Sequence, residues 1–169
     1  GVVSLSLVAP LRTEHGWVFD KHEARFRDDL YQLNAVYELY LKANPKYSGR
    51  VTVPVLWDKH RQTIVSNESS EIIRMFNGAF NHITGDDQDF YPEALANEID
   101  ALNDYIFNHI NNGVYKAGFA RSQSAYDEAV TALFAVLDKL ELRLAQQDYL
   151  LGDKITEADW RLLPTLVRF

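Results

Sequence analysis

A mixed first half followed by a purely helical second half predicts an α+β protein in two packed parts. Three observations carry that expectation. Short β-branched runs punctuated by turn residues fall in the first 84 positions, and long apolar stripes at helical spacing fill the rest. Between them runs the polar stretch Thr84-Gly85-Asp86-Asp87-Gln88-Asp89, which sets the expected boundary at 1–84 and 85–169.

The alternation Val2-Val3-Ser4-Leu5-Ser6-Leu7-Val8 reads as a strand that begins at once. His15-Gly16-Trp17-Val18-Phe19-Asp20 reads as a turn with two aromatics. Phe26, Leu30, Leu33, Tyr37 and Tyr40 then recur at helical spacing, and Asn44-Pro45 through Ser48-Gly49 closes that stretch. Arg50–Trp57 is a second strand, Arg61-Gln62 a turn, and Thr63–Val65 a third strand near enough to form a hairpin. Ser66-Asn67-Glu68-Ser69 supplies cap-type residues ahead of a helix bearing Ile72, Ile73, Met75 and Phe76.

In the second half, Pro92 suits a first helical turn, and Leu95, Ile99, Leu102, Ile106 and Ile110 mark one stripe before an Asn111-Asn112-Gly113 turn. A helix over about 122–146 follows, with Tyr126, Val130, Leu133, Leu137, Leu140 and Leu144 toward a core. The last helix starts at Thr156 as N-cap, with Asp159 at the third helical position and Ile155 and Trp160 as a hydrophobic staple. The chain opens on glycine in strand-like sequence and closes inside this helix, so both ends are expected to be truncated.

Composition narrows the function. Of 169 residues, 47% are hydrophobic and 24% charged, the profile of a folded globular protein. A net charge of −7 gives no general attraction to phosphate backbones or anionic lipid, so neither nucleic acid nor membrane is an expected partner. No apolar run is long enough to span a bilayer and no signal peptide is visible, which makes the cytoplasm the expected location. Cysteine is absent, which excludes disulfides, thiolate metal sites and a thiol nucleophile within these residues. His15, His22, His60, His82 and His109 lack metal-ligand spacing, so no metal is expected.

One block remains that suits ligand chemistry. Pro54 at the start of a strand removes a ladder donor, and a cis bond there would turn the Val53 backbone outward as an edge able to pair with a peptide. Glu68-Ser69 at a helix start offers N–H groups and a hydroxyl to a carboxylate, and an acid to an ammonium. Together they fit a short peptide with a free amino-acid end. On the residues alone, an ordinary trans proline and an ordinary helix cap are the favoured reading.

At these residues the sequence resembles the glutathione transferase superfamily, and within it the glutathionyl-hydroquinone reductases, the xi class. The resemblance is carried by Glu14–Asp20, Tyr47–Asp58, Asn67–Met75, Asn111–Ala120 and Thr156–Asp159. It implies a thioredoxin-like glutathione-binding domain, incomplete here, followed by a truncated all-helical domain. It makes Val53 the residue before a cis proline, pairing with the cysteinyl part of glutathione, and Glu68 and Ser69 the holders of its γ-glutamyl end. Trp17 lines the glutathione site, Arg50 contacts it, and Tyr115 is the catalytic residue facing the hydroquinone.

The implied reaction removes glutathione from a glutathionyl-hydroquinone, yielding hydroquinone and glutathione disulfide in a homodimeric enzyme. The family's nucleophilic cysteine belongs to a Cys-Pro-Trp-Ala type motif ahead of the strand with which this chain opens. Conventional glutathione conjugation and a non-catalytic glutathione-binding scaffold remain as alternatives, because no thiol is present in these residues.

Overall fold

The computed structural model describes residues 2–169 and divides them into two compact units. One holds the chain up to Phe76 together with Phe80–Gly85; the other holds Asn77–Ala79 and Asp86–Phe169.

The first unit is built around helix α1, Val36–Ala43, and the antiparallel hairpin of β1, Leu56–Asp58, and β2, Thr63–Ser66. Helix α2, Ser69–Phe76, follows the hairpin, and the short α3, Asn81–Thr84, ends at Gly85, whose φ of 70° is the left-handed conformation typical of a glycine cap. Its regular structure is shorter than the sequence suggests. Residues 2–8 form no strand, since no other strand among the described residues lies alongside to complete a ladder, and Leu5 is 81% exposed.

The helical spacing from Phe26 to Tyr40 yields a helix only from Val36 onward. Buried Asp28 accounts for the difference: its carboxylate accepts the N–H groups of Leu30, Tyr31 and Leu33, closing a turn that competes with helix, and Gln32 takes a φ of 57°. Arg50–Val55 is likewise not strand; its polar groups are held by side chains, as described below.

The second unit is a helical bundle of α4, Ala96–Ile106, α5, Asn112–Gly118, α6, Gln123–Leu144, and α7, Glu157–Arg168. Its core joins Leu102, Ile106 and Ile110 to Leu133, Val136 and Leu140 of α6, to Leu150, and to Ala158 and Leu162 of α7. Asn111-Asn112-Gly113 is not a turn. The chain passes from α4 to α5 through a widened π turn, Phe107–Asn111, and Gly113 lies inside the helix, where an added Cβ would come within 3.4 Å of Leu133 Cδ1. The glycine serves close helix packing rather than chain reversal.

Helix α6 begins as expected, with Ser122 Oγ accepting the Ala125 N–H at 3.2 Å. Its 22 residues span about 33 Å, and only the middle is covered: Leu133, Val136 and Leu140 are buried, while Tyr126 and Leu144 are exposed. At the start of α7, Asp159 accepts both the backbone N–H and the hydroxyl of Thr156, at 2.8 and 2.9 Å. It also accepts the Leu150 N–H at 2.9 Å. Trp160 meets the Phe90 ring edge-on, with centroids 5.8 Å apart.

Candidate functional site

Five of the six expected site residues, Trp17, Arg50, Val53, Glu68 and Ser69, lie in the first unit, and α1 anchors the segments that carry them. The Trp17 carbonyl accepts the Val36 N–H at the first residue of α1 at 2.9 Å, fixing the aromatic turn to the helix start. That turn is closed by paired bonds between Thr13 and Gly16, where a φ of 81° requires the glycine. The Arg12 guanidinium lies 5.7 Å from the centre of the Trp17 ring.

One helical turn further along α1, Tyr40 is 3% exposed, and its hydroxyl donates to the Thr52 carbonyl at 3.0 Å. The same oxygen accepts the Asn67 Nδ2–H at 3.1 Å and the Thr52 N–H at 3.4 Å. Asn67 Nδ2 also donates to Thr52 Oγ1 at 2.8 Å. Thr52 immediately precedes Val53, and Asn67 immediately precedes Glu68. The loop before Pro54 and the entry to α2 are therefore cross-linked directly. Tyr47 adds a second brace, its ring against Tyr40 at 5.0 Å and its hydroxyl donating to the Arg50 carbonyl at 2.7 Å.

The Val53–Pro54 peptide is cis, against the trans bond favoured by the residues alone and as the resemblance implies. Val53 is half-buried, and its N–H and C=O form no hydrogen bond among the described residues. At the start of α2, buried Ser66 accepts the Glu68 N–H at 3.1 Å and donates to Glu71 Oε2 at 2.6 Å. Ser66 and Glu71 thus fix the backbone entering the helix. The Glu68 and Ser69 side chains are exposed and without a hydrogen bond among the described residues, as is the Arg50 guanidinium. An unpaired backbone edge beside an unpaired acid, hydroxyl and helix start can bind a small peptide through its main chain and its charged end.

Tyr115 stands on α5 in the second unit, 62% exposed, its ring parallel to that of Phe119 within 9° and 6.1 Å away. Sequence reasoning missed Tyr40, Thr52 and Asn67 as the frame of the first group. Tyr40 reads from its spacing as one more apolar position of a helix, and Asn67 as one more cap residue. No group of His, Asp or Glu able to hold a metal ion occurs among the described residues.

Residues 123–169 match the family model of the glutathione S-transferase C-terminal domain. The fold is close to that of glutathione-bound YqjG, a glutathione transferase homologue from Escherichia coli K-12, with a TM-score of 0.93 over 97% of this chain and 54% of that one. It is similar also to the glutathione-S-transferase Xi of Phanerochaete chrysosporium, with a TM-score of 0.90, 54% identity, and coverage of 97% and 57% of the two chains. These likenesses give the chain the fold of the glutathione transferase superfamily.

In sequence it is 58% identical over 168 residues to glutathionyl-hydroquinone reductase YqjG of Escherichia coli K12, covering 99% of this chain and 51% of that protein. Identity to glutathionyl-hydroquinone reductase PcpF of Sphingobium chlorophenolicum is 45%, over 99% of this chain and 54% of the relative. The chain belongs to the glutathionyl-hydroquinone reductase family, the xi class of the glutathione transferases. It spans about half the length of the curated relatives it matches.

Proposed function

We propose that these residues bind glutathione and present a glutathionyl-hydroquinone for reduction to free hydroquinone and glutathione disulfide. The observation that carries the reading is the unpaired Val53 backbone held beside Glu68 and Ser69 through the 2.8 Å bond between Asn67 and Thr52. Glutathione is a tripeptide with a peptide backbone at its cysteinyl centre and an ammonium and a carboxylate at its γ-glutamyl end. The Val53 N–H and C=O pair with the cysteinyl main chain as a short antiparallel ladder. Glu68 takes the ammonium, and the Ser69 hydroxyl with the first N–H groups of α2 takes the carboxylate. Trp17 walls the site, and Arg50 supplies a cation for the second carboxylate, that of the glycyl end.

The net conversion joins the glutathionyl adduct and one glutathione to give hydroquinone and glutathione disulfide. A thiolate attacks the adduct's sulfur, the bond from sulfur to ring carbon breaks, and the ring leaves with the electron pair and takes up a proton. A glutathione thiolate then displaces the enzyme sulfur from the mixed disulfide. The 169 residues contain no cysteine, so the enzyme thiolate in this scheme is supplied from outside them. Tyr115 is assigned to the departing hydroquinone, as hydrogen-bond donor or proton source. The same reading, through the family resemblance, takes the protein to be a cytoplasmic homodimer; no helix among the described residues is long and apolar enough to cross a membrane.

The test is a pair of measurements on the protein that carries this chain: calorimetric titration with glutathione, and chromatographic detection of hydroquinone and glutathione disulfide from a synthetic adduct. Saturable binding with stoichiometric release of both products supports the reading. Binding without release leaves a scaffold, and conjugation of glutathione to an electrophile without release leaves a conventional transferase.

A further inference from the structure

We infer that Tyr40, Thr52 and Asn67 form a spacing clamp that sets how well the site measures the length of glutathione; the inference rests on the glutathione reading of Val53, Glu68 and Ser69. A buried phenol needs one partner to be satisfied. The Tyr40 hydroxyl has more, donating to the Thr52 carbonyl at 3.0 Å, accepting from Asn67 at 3.1 Å and from the Thr52 N–H at 3.4 Å, and lying 3.5 Å from Thr52 Oγ1. Asn67 closes the triangle on Thr52 Oγ1 at 2.8 Å. The Asn67–Thr52 bond joins the residue before Glu68 directly to the residue before Val53, and the Tyr40 hydroxyl ties both of them to α1.

The geometry fixes one quantity, the separation between a backbone edge and an acidic helix start. Those are the two features a γ-glutamyl-cysteinyl ligand must engage at once. The β1–β2 ladder ends at the Leu56–Ser66 pair, and neither Arg50–Val55 nor the Asn67-Glu68 pair belongs to a strand or helix, so beyond that pair the spacing is held by side chains. The Tyr40 ring is set independently, by burial and by its contact with Tyr47, so removing only the hydroxyl leaves the packing in place. The three residues touch no ligand in this scheme; they are positioning residues.

A clamp and a purely structural network differ in which ligands they affect. Cysteinylglycine keeps the part read by Val53 and lacks the γ-glutamyl end, so its binding does not depend on the spacing. The experiment measures dissociation constants of glutathione and of cysteinylglycine for the unaltered protein, Tyr40→Phe, Asn67→Ala and Asn67→Asp. Asn67→Asp keeps the shape and removes the donor. Each variant is expected to weaken glutathione about tenfold, the scale of one hydrogen bond, while cysteinylglycine changes less than about twofold.

Parallel weakening of both ligands, or unchanged affinity for both, overturns the clamp while leaving the site. No binding of glutathione by the unaltered protein overturns the reading of the site and the clamp with it. Tyr40→Phe alone decides the question if the Asn67 variants fail to fold, because the ring that packs is unchanged.

Discussion

At the scale of single residues, the proposed site relies on side chains that make no hydrogen bond among the described residues. Glu68 is exposed with no hydrogen bond among the described residues, so Glu68→Ala is expected to leave thermal stability within about 0.5 kcal/mol while weakening glutathione about tenfold or more. Calorimetry and a melting curve on the same preparation check both halves. Tyr115→Phe removes a hydroxyl that makes no hydrogen bond among the described residues and keeps the ring parallel to Phe119. Its expected signature is a fall in kcat of about a hundredfold with glutathione affinity unchanged, the pattern of a lost proton donor; equal kcat would remove the role. Asp58 has a different task, closing the β1–β2 hairpin. Its carboxylate accepts the N–H groups of Arg61 and His60, both at 2.8 Å, and the Arg61 bond is the main cause of a pKa below the ordinary carboxylate value. A lowered pKa means stabilisation that is present above the ordinary value and is lost as pH falls through the folded one. The Arg61 amide resonance is therefore expected to titrate below the value of about 3.9 for a free aspartate, and Asp58→Asn to abolish that transition.

At the scale of elements, legibility followed how local the determining interactions are. The hairpin, the start of α2, the approximate start of α6 and the start of α7 were all readable, because each rests on residues within a few positions of one another. The missed features depend on contacts far along the chain or on side chains competing with the backbone. Asp28 captures three N–H groups and ends a helical pattern early, and Gly113 resembles a turn residue until Leu133, twenty positions away, is placed against it. In the site, Val53, Glu68 and Ser69 were readable as candidates, whereas Tyr40 acquires its role only when Thr52 and Asn67 reach it from 12 and 27 residues away. The start of α7 shows the same limit quantitatively. Thr156 is the expected cap, yet Asp159 is the hub, accepting from the Thr156 hydroxyl, the Thr156 N–H and the Leu150 N–H. Thr156→Ala removes one of these bonds and is expected to cost about 0.5–2 kcal/mol. Asp159→Ala strands two backbone donors as well and is expected to cost roughly twice as much, in the range of about 2–4 kcal/mol by chemical denaturation. A smaller loss for Asp159→Ala than for Thr156→Ala would contradict that ordering.

At the scale of the whole molecule, the larger apolar core and the proposed glutathione contacts fall in different units. Among the described residues, the buried apolar side chains of the first unit are Ala35, Val36 and Tyr40; the second has a core cluster from Leu102 through Leu162, with Ile99 buried as well. Buried apolar area is the main source of resistance to opening, so amides of Ile99–Ile110 and Leu133–Leu140 are expected to exchange hydrogen most slowly. Amides around Tyr40, Thr52 and Ile72 are expected to exchange faster, because a few buried side chains and the clamp hold them. Glutathione should reverse part of this imbalance. A ligand that binds only the closed form of a unit stabilises it by about 2.7 kcal/mol at a hundred times its dissociation constant, which slows opening-limited exchange by roughly a hundredfold. Since the proposed contacts of glutathione are Trp17, Arg50, Val53, Glu68 and Ser69, that protection should be confined to amides of the first unit, with those of α6 and α7 unchanged. Hydrogen exchange followed by mass spectrometry, with and without glutathione, reads both units in one experiment. Protection of equal size in both would mean that they open together as one cooperative body, and protection absent from the first unit would remove glutathione from the site altogether.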